Sequence, residues 1–120
     1  MFKLHTNEIL VLYDKGSSVG KKTLAYAHSM SDHVKDLEFS KANYTTTMWK
    51  MFLKILGKHP KELLNKAHPY YKEHIKGRDF DSESWLKVLV KHPELIRAPI
   101  VIKGNKAIIC DNPTDIYKLS

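Results

Sequence analysis

Residues 94–110, ELIRAPIVIKGNKAIIC, constrain what this chain can fold into more than any other stretch. They predict two short apolar strands, Ile100–Lys103 and Ala107–Cys110, joined by a two-residue turn at Gly104-Asn105. Glycine and asparagine are the residues that accept the positive φ such turns need. Pro99 stands at the mouth of the first strand, where a missing backbone N–H is tolerated.

The elements before the hairpin follow from apolar spacing. Glu8–Tyr13 (EILVLY) is a nearly continuous apolar run, the pattern of a strand covered on both faces. DKGSSVG then reads as a loop, and Lys21–Met30 as a helix with Leu24, Ala25, Ala27 and His28 near one stripe. Strand, loop and helix open a βαβ unit. Val34–Phe39 predicts a weaker second strand. Thr45–Thr47 caps a helix through Leu56, with Met48, Phe52, Ile55 and Leu56 as its stripe and Gly57 as its stop.

Lys58–Gly77 predicts two short helices divided at His68-Pro69, because proline biases its predecessor out of the α region. Leu63, Leu64 and Tyr71 are the inward residues there. Asp81 or Ser82 caps a helix to Lys91 that buries Trp85, Leu86, Leu89 and Val90, with Phe80 as a hydrophobic staple. After the hairpin, Pro113–Leu119 is a last short helix with proline in its first turn. The order is β-α-β, a helical insert, then β-β-α. With no low-complexity linker and no internal repeat, residues 1–120 read as one α/β domain.

Composition narrows the function classes. A chain of 120 residues with 42% hydrophobic and 28% charged residues supports a core without metal or disulfide. No apolar run reaches the roughly 18–20 residues that cross a bilayer, so no membrane partner is expected. The start MFKLHTNE lacks the apolar region of a secretory signal. A single cysteine excludes an internal disulfide and a CxxC pair, and the cytoplasm is the expected address. The net charge of +7 comes from 18 lysines and only Arg78 and Arg97, scattered through every element. That is a solvated surface, and the pattern argues against nucleic acid, where base reading favours arginine.

The order of elements, with a proline entering the third strand, resembles the thioredoxin fold. More narrowly, the chain resembles the arsenate reductase (ArsC-type) and Spx family, glutaredoxin-like proteins with a helical insert between strands 2 and 3. The resemblance rests on LYDKGSSVGKKTLAYA, on DFDSESWLKVLVKHPELIRAPIVIKGNKAIIC and on the closing NPTDIYKL. It implies a small mixed four-stranded sheet flanked by helices, and a cis bond before Pro99. It also implies that reductases of this type carry a nucleophilic cysteine in the first βα loop and arginines that hold the oxyanion. In this chain Ser17 and Ser18 occupy the loop. Ala98 directly precedes Pro99, with Arg97 one position earlier, and Asp111 follows Cys110 where a positive charge belongs. The frame matches and the thiol does not.

Residues 16–23, GSSVGKKT, approach a phosphate-binding P-loop. They have three residues between the glycines where that motif has four, and a second lysine before the hydroxyl. What survives is a helix N-terminus flanked by serines and lysines, suited to a small anion. The histidines stand before prolines or apart, with no ligand spacing, so no metal and no cofactor are expected. Asp79, Asp81 and Glu83 read as capping residues at a helix start. Cys110 reads as a small buried hydrophobe, with a reactive thiol as the alternative.

Three readings follow. The first is a non-redox ArsC/Spx-type binding or regulatory module, with Ser17, Ser18, Lys21, Lys22, Arg97 and Pro99 as its degenerate active-site pocket and a protein partner. Spx-like relatives, by resemblance, work by touching transcription machinery. The second is an arsenate reductase-like thiol oxidoreductase. The third is a small-oxyanion-binding protein using the first strand–helix loop.

Overall fold

The computed structural model describes residues 8–41 and 43–119. They gather into two compact units: the chain up to Asn43 together with the chain from Ala98 on, and Tyr44–Arg97 between them.

The first unit is a mixed four-stranded sheet in the order β2-β1-β3-β4, the thioredoxin-like arrangement. Strands β1 (Ile9–Tyr13) and β2 (Val34–Glu38) run parallel. Strands β3 (Ile100–Lys103) and β4 (Lys106–Ile109) form the hairpin, and β3 joins β1 antiparallel. Every residue of β1 is buried, as its unbroken apolar run requires of a central strand. Helix α1 (Ser18–Met30) packs on one sheet face, where Ala27 meets Ile9, Val11, Tyr13 and Val101. Cys110, Ile116 and Leu119 complete that layer from the C-terminal segment.

Several boundaries differ from the sequence reading. The hairpin's second strand starts at Lys106, one residue early, because Lys103 pairs with Lys106 across a true two-residue loop. Only Gly104 has positive φ, at 61°, so Asn105 keeps an ordinary conformation, as in turns with glycine first. Helix α1 begins three residues earlier than expected, at Ser18. Its buried stripe is Gly20, Thr23 and Ala27, while Ala25 and His28 are exposed. Small residues face the sheet because the large side chains of β1 already fill the layer. Pro113–Leu119 forms the expected last short helix, of 3-10 type.

The second unit holds α2 (Thr46–Leu56) and α3 (Ser82–Lys91), packed on each other. Thr45 caps α2 through its hydroxyl, and Gly57 ends it at φ 67°. Its buried residues are Trp49, Phe52 and Leu53, one step round from the expected stripe. The Trp49 ring stacks on Tyr44 at 5.2 Å and meets Phe52 edge-on at 5.8 Å. Asp81 caps α3 with a 2.7 Å bond from the Ser84 N–H. Phe80 staples that start by packing edge-on against Trp85 at 5.0 Å. Between the helices lie the two short helices expected there, a 3-10 helix, Pro60–Leu63, and a π turn, Tyr71–Ile75, on either side of His68-Pro69. A 3-10 turn follows α3 at Pro93–Leu95.

Gly20 decides how closely α1 approaches β1. A Cβ there would sit 2.9 Å from the Asp14 carbonyl oxygen and 3.3 Å from Tyr13 Cβ. Alanine would add about 0.5–1 kcal/mol of helix preference, but the clash is with backbone, which yields poorly. Gly20→Ala is therefore expected to destabilise the protein by about 1–3 kcal/mol. Thermal unfolding should show a Tm lowered by about 3 °C or more; an unchanged or raised Tm would mean the helix shifts freely.

Candidate functional site at the head of the first helix

The loop between β1 and α1 is built from short-range bonds. The Asp14 carboxylate accepts the Gly16 N–H at 2.9 Å, and its carbonyl accepts the Ser17 N–H at 2.9 Å. Ser17 is the N-cap, with extended backbone and an Oγ that accepts the Gly20 N–H at 3.1 Å. The first helical bond runs from the Lys21 N–H to the Ser17 carbonyl at 3.0 Å. Ser18 and Val19 therefore lie in the turn whose amides have no intrahelical acceptor and carry the positive end of the helix dipole. Lys21 and Lys22 are exposed one turn on, and the first turn holds no acidic residue.

The sheet register places two further residues at the same end. Ile100 stands opposite Leu12 on β1 and opposite Ile109 on β4. Pro99, the next residue, thus comes level with Tyr13 at the end of β1 from which the loop departs, and the Cys110 N–H donates to its carbonyl at 2.8 Å. The bond before Pro99 is trans, as are all those of the described residues, where the resemblance implied cis. An X–Pro bond favours trans by about 0.5–1 kcal/mol unless its surroundings override that preference.

Ser17, Ser18, Lys21 and Lys22 thus share one helix head, and Pro99 lies at that end of the sheet. Arg97 belongs to the second unit. Its backbone N–H donates to the Leu63 carbonyl at 2.9 Å and its Nε to the Glu62 carbonyl at 3.0 Å. It lines a shallow pocket of about 510 Å³ with Glu62, Asn65 and Lys66.

Sequence reasoning missed Asp14, which shapes the loop, and Gly20, which sets its depth. A carboxylate two residues before glycine at a strand end is the available signal. It also missed the Tyr13 hydroxyl, which donates to Asp36 at 3.3 Å.

Chemically, this helix head presents amides, hydroxyls and lysines and no sulfur, so it cannot exchange thiols. The chain's one thiol is Cys110, which is fully buried, just past the end of β4. Burial, with Asp115 and Asp111 adding to it, pushes its thiol from 9.0 up to about 12. Asp115 stays ionised readily, since its carboxylate accepts the Asn112 N–H. A protonated, enclosed thiol is a poor nucleophile.

The model of the ArsC family matches residues 13–119. The chain belongs to the ArsC family. Among solved structures it is similar to the arsenate reductase from Vibrio cholerae, with TM-score 0.85 and 17% identity over 94% of this chain and 98% of that one. It is also similar to a Yersinia pestis protein assigned as an arsenate reductase, with TM-score 0.83 and 20% identity over 92% and 98%. An arsenate reductase (ArsC) related protein from Brucella melitensis follows, with TM-score 0.67 and 16% identity over 92% of both chains. At these identities the likeness establishes the fold. Among curated proteins no relative matches. As an ArsC-family chain, it carries Ser17 and Ser18 in the loop where the resemblance implied a reductase's cysteine, and its one cysteine stands elsewhere.

Two outcomes are expected. Cys110 should resist a disulfide reagent at about pH 8 in the native protein and react promptly in denaturant. Because its pKa is higher folded than unfolded, its contribution to stability is complete below about pH 9 and is lost as pH rises towards 12. Prompt native labelling would show an accessible thiol. Separately, Ser17→Cys places sulfur where the Gly20 N–H already donates. Its thiol should titrate below about 7.5, followed by thiolate absorbance; an ordinary value would mean that the cap geometry is lost.

Proposed function

We propose that this ArsC-family protein is a binding or regulatory module of the cytoplasm that has given up thiol redox chemistry. One observation supports this reading above others: a serine hydroxyl, Ser17 Oγ, fills the N-cap and is committed to the Gly20 N–H. Reduction of an oxyanion through a thiol needs a sulfur that attacks, forms an adduct and is then released by a second thiol. A hydroxyl can at most form an ester, and with no sulfur to enter a disulfide it cannot pass through the thiol exchange that carries the reduction. What remains at that end of the sheet is a frame for recognition: outward amides at Ser18 and Val19, the lysines at 21 and 22, and Pro99 behind them.

The small-oxyanion reading draws on the same residues, since free amides and lysines at a helix start favour negative charge. It differs in what occupies the place, an ion in one case and an acidic surface of a partner in the other.

The test is a coupled assay of arsenate reduction with glutathione or thioredoxin as the thiol source. No turnover above the uncatalysed rate is expected for the wild-type protein or for Cys110→Ala. Turnover in the wild type that Cys110→Ala abolishes would overturn the proposal in favour of an oxidoreductase.

A further inference from the structure

The second unit carries eleven lysines and arginines against six aspartates and glutamates, so most of the chain's positive excess lies there. Part of it converges on a pocket of about 370 Å³, within the usual size of small-molecule sites. Arg78, Lys87 and Lys91 line it together with His74 and His92, and no lining residue is acidic. Lys87 and Lys91 are one helical turn apart on α3, and Arg78 approaches from the loop before it.

The same pocket has a flat aromatic side. The Tyr70 ring lies against His74 at 4.4 Å and against His92 at 4.2 Å between centroids. Phe80, Ile75 and Val88 supply the apolar floor. The ledge depends on the π turn at Tyr71–Ile75, closed by the Lys76 N–H on the Tyr71 carbonyl at 2.8 Å. Such turns are rare and concentrate at functional sites. Gly77, at φ 76°, then folds the chain back, and the Arg78 N–H bonds the Ile75 carbonyl at 3.1 Å. Three carboxylates beside lining residues or at the start of α3 are engaged: Glu94 Oε1 with His92 Nδ1 at 3.0 Å, Glu73 Oε2 with His74 Nε2 at 3.7 Å, and Asp81 as the α3 cap; Asp79 stands between Arg78 and Phe80 in the chain.

We infer that this pocket binds a small ligand joining a phosphate to a flat aromatic ring, the class of nucleoside monophosphates. Arg78 meets the phosphate with its planar fork, and Lys87 and Lys91 neutralise the remaining charge. The ring packs on the Tyr70–Phe80 side, where stacking contributes beyond simple burial. Neither half of the site accounts for the other: cations alone would suit any anion, and the ledge alone any aromatic. The inference is independent of the reading of the α1 head, since every residue it uses lies in the second unit.

The experiment is a titration of the full-length protein with adenosine 5′-monophosphate, adenosine and inorganic phosphate, followed by amide chemical shifts. The monophosphate is expected to bind about tenfold or more tighter than either fragment, with the largest shifts at 70–80 and 84–92. Lys87→Glu with Lys91→Glu, both exposed, should weaken it at least about tenfold while the fold's spectrum is retained. Tyr70→Ala should weaken the monophosphate and leave phosphate unchanged. Equal affinity for phosphate and the monophosphate would reduce the site to surface charge and overturn the inference. So would shifts confined to residues 17–22, or no shift at millimolar ligand.

Discussion

Two of the three strand pairings in the first unit's sheet are made by β1, and the third, the β3–β4 hairpin, joins the sheet only through it. Its five residues are buried, β2 pairs along one edge and β3 along the other, and α1 leaves directly from its end. A strand so placed must satisfy its backbone bonds on both sides, since an unpaired buried amide costs about as much as a lost hydrogen bond. The helix head can therefore sit only where the end of β1 puts it. Gly20 brings that first turn within van der Waals reach of Tyr13 and Asp14, so the site's position is fixed by packing before any chemistry is considered.

The same geometry explains how the helix head stays intact without sulfur. An N-cap needs an oxygen or an equivalent acceptor for an orphan amide, and Ser17 supplies one. The structural duty of the position and its catalytic duty are separable, because a cap has only to accept, while a nucleophile has also to leave. Cys110 shows the complementary case. Its sulfur is kept, but in a layer with Ile116 and Leu119, beside carboxylates that disfavour the thiolate. The ArsC frame thus holds a hydroxyl where reactivity would be accessible and a thiol where it is not.

Much of this was legible in the residue order. The hairpin, the caps at Thr45 and Asp81, the Phe80 staple and the serine-bearing first loop all follow from local rules, because each depends on neighbours within nine positions. Elements set by distant partners were not. The stripe of α1 is small rather than apolar, since large β1 side chains take the space, and hydropathy spacing points to Leu24 instead of Gly20 and Thr23. The π turn at Tyr71–Ile75 has no sequence signature. Arg97 stands two residues from Pro99 in the chain, yet its guanidinium bonds the Glu62 carbonyl, which adjacency could not indicate. The Tyr70 pocket draws on residues up to 22 positions apart, so no short motif announces it.

The pairing of β1 with β3 has a consequence in time. The ribosome releases an apolar five-residue strand first and its antiparallel partner some ninety residues later. At roughly 5–20 residues per second, that interval lasts several seconds. Throughout it one edge of β1 lacks its mate, with only β2 available on the other side. Nascent chains of this protein thus spend their synthesis with a sticky ribbon exposed, and their yield in a cell depends on how well chaperones shield it until the closing hairpin emerges.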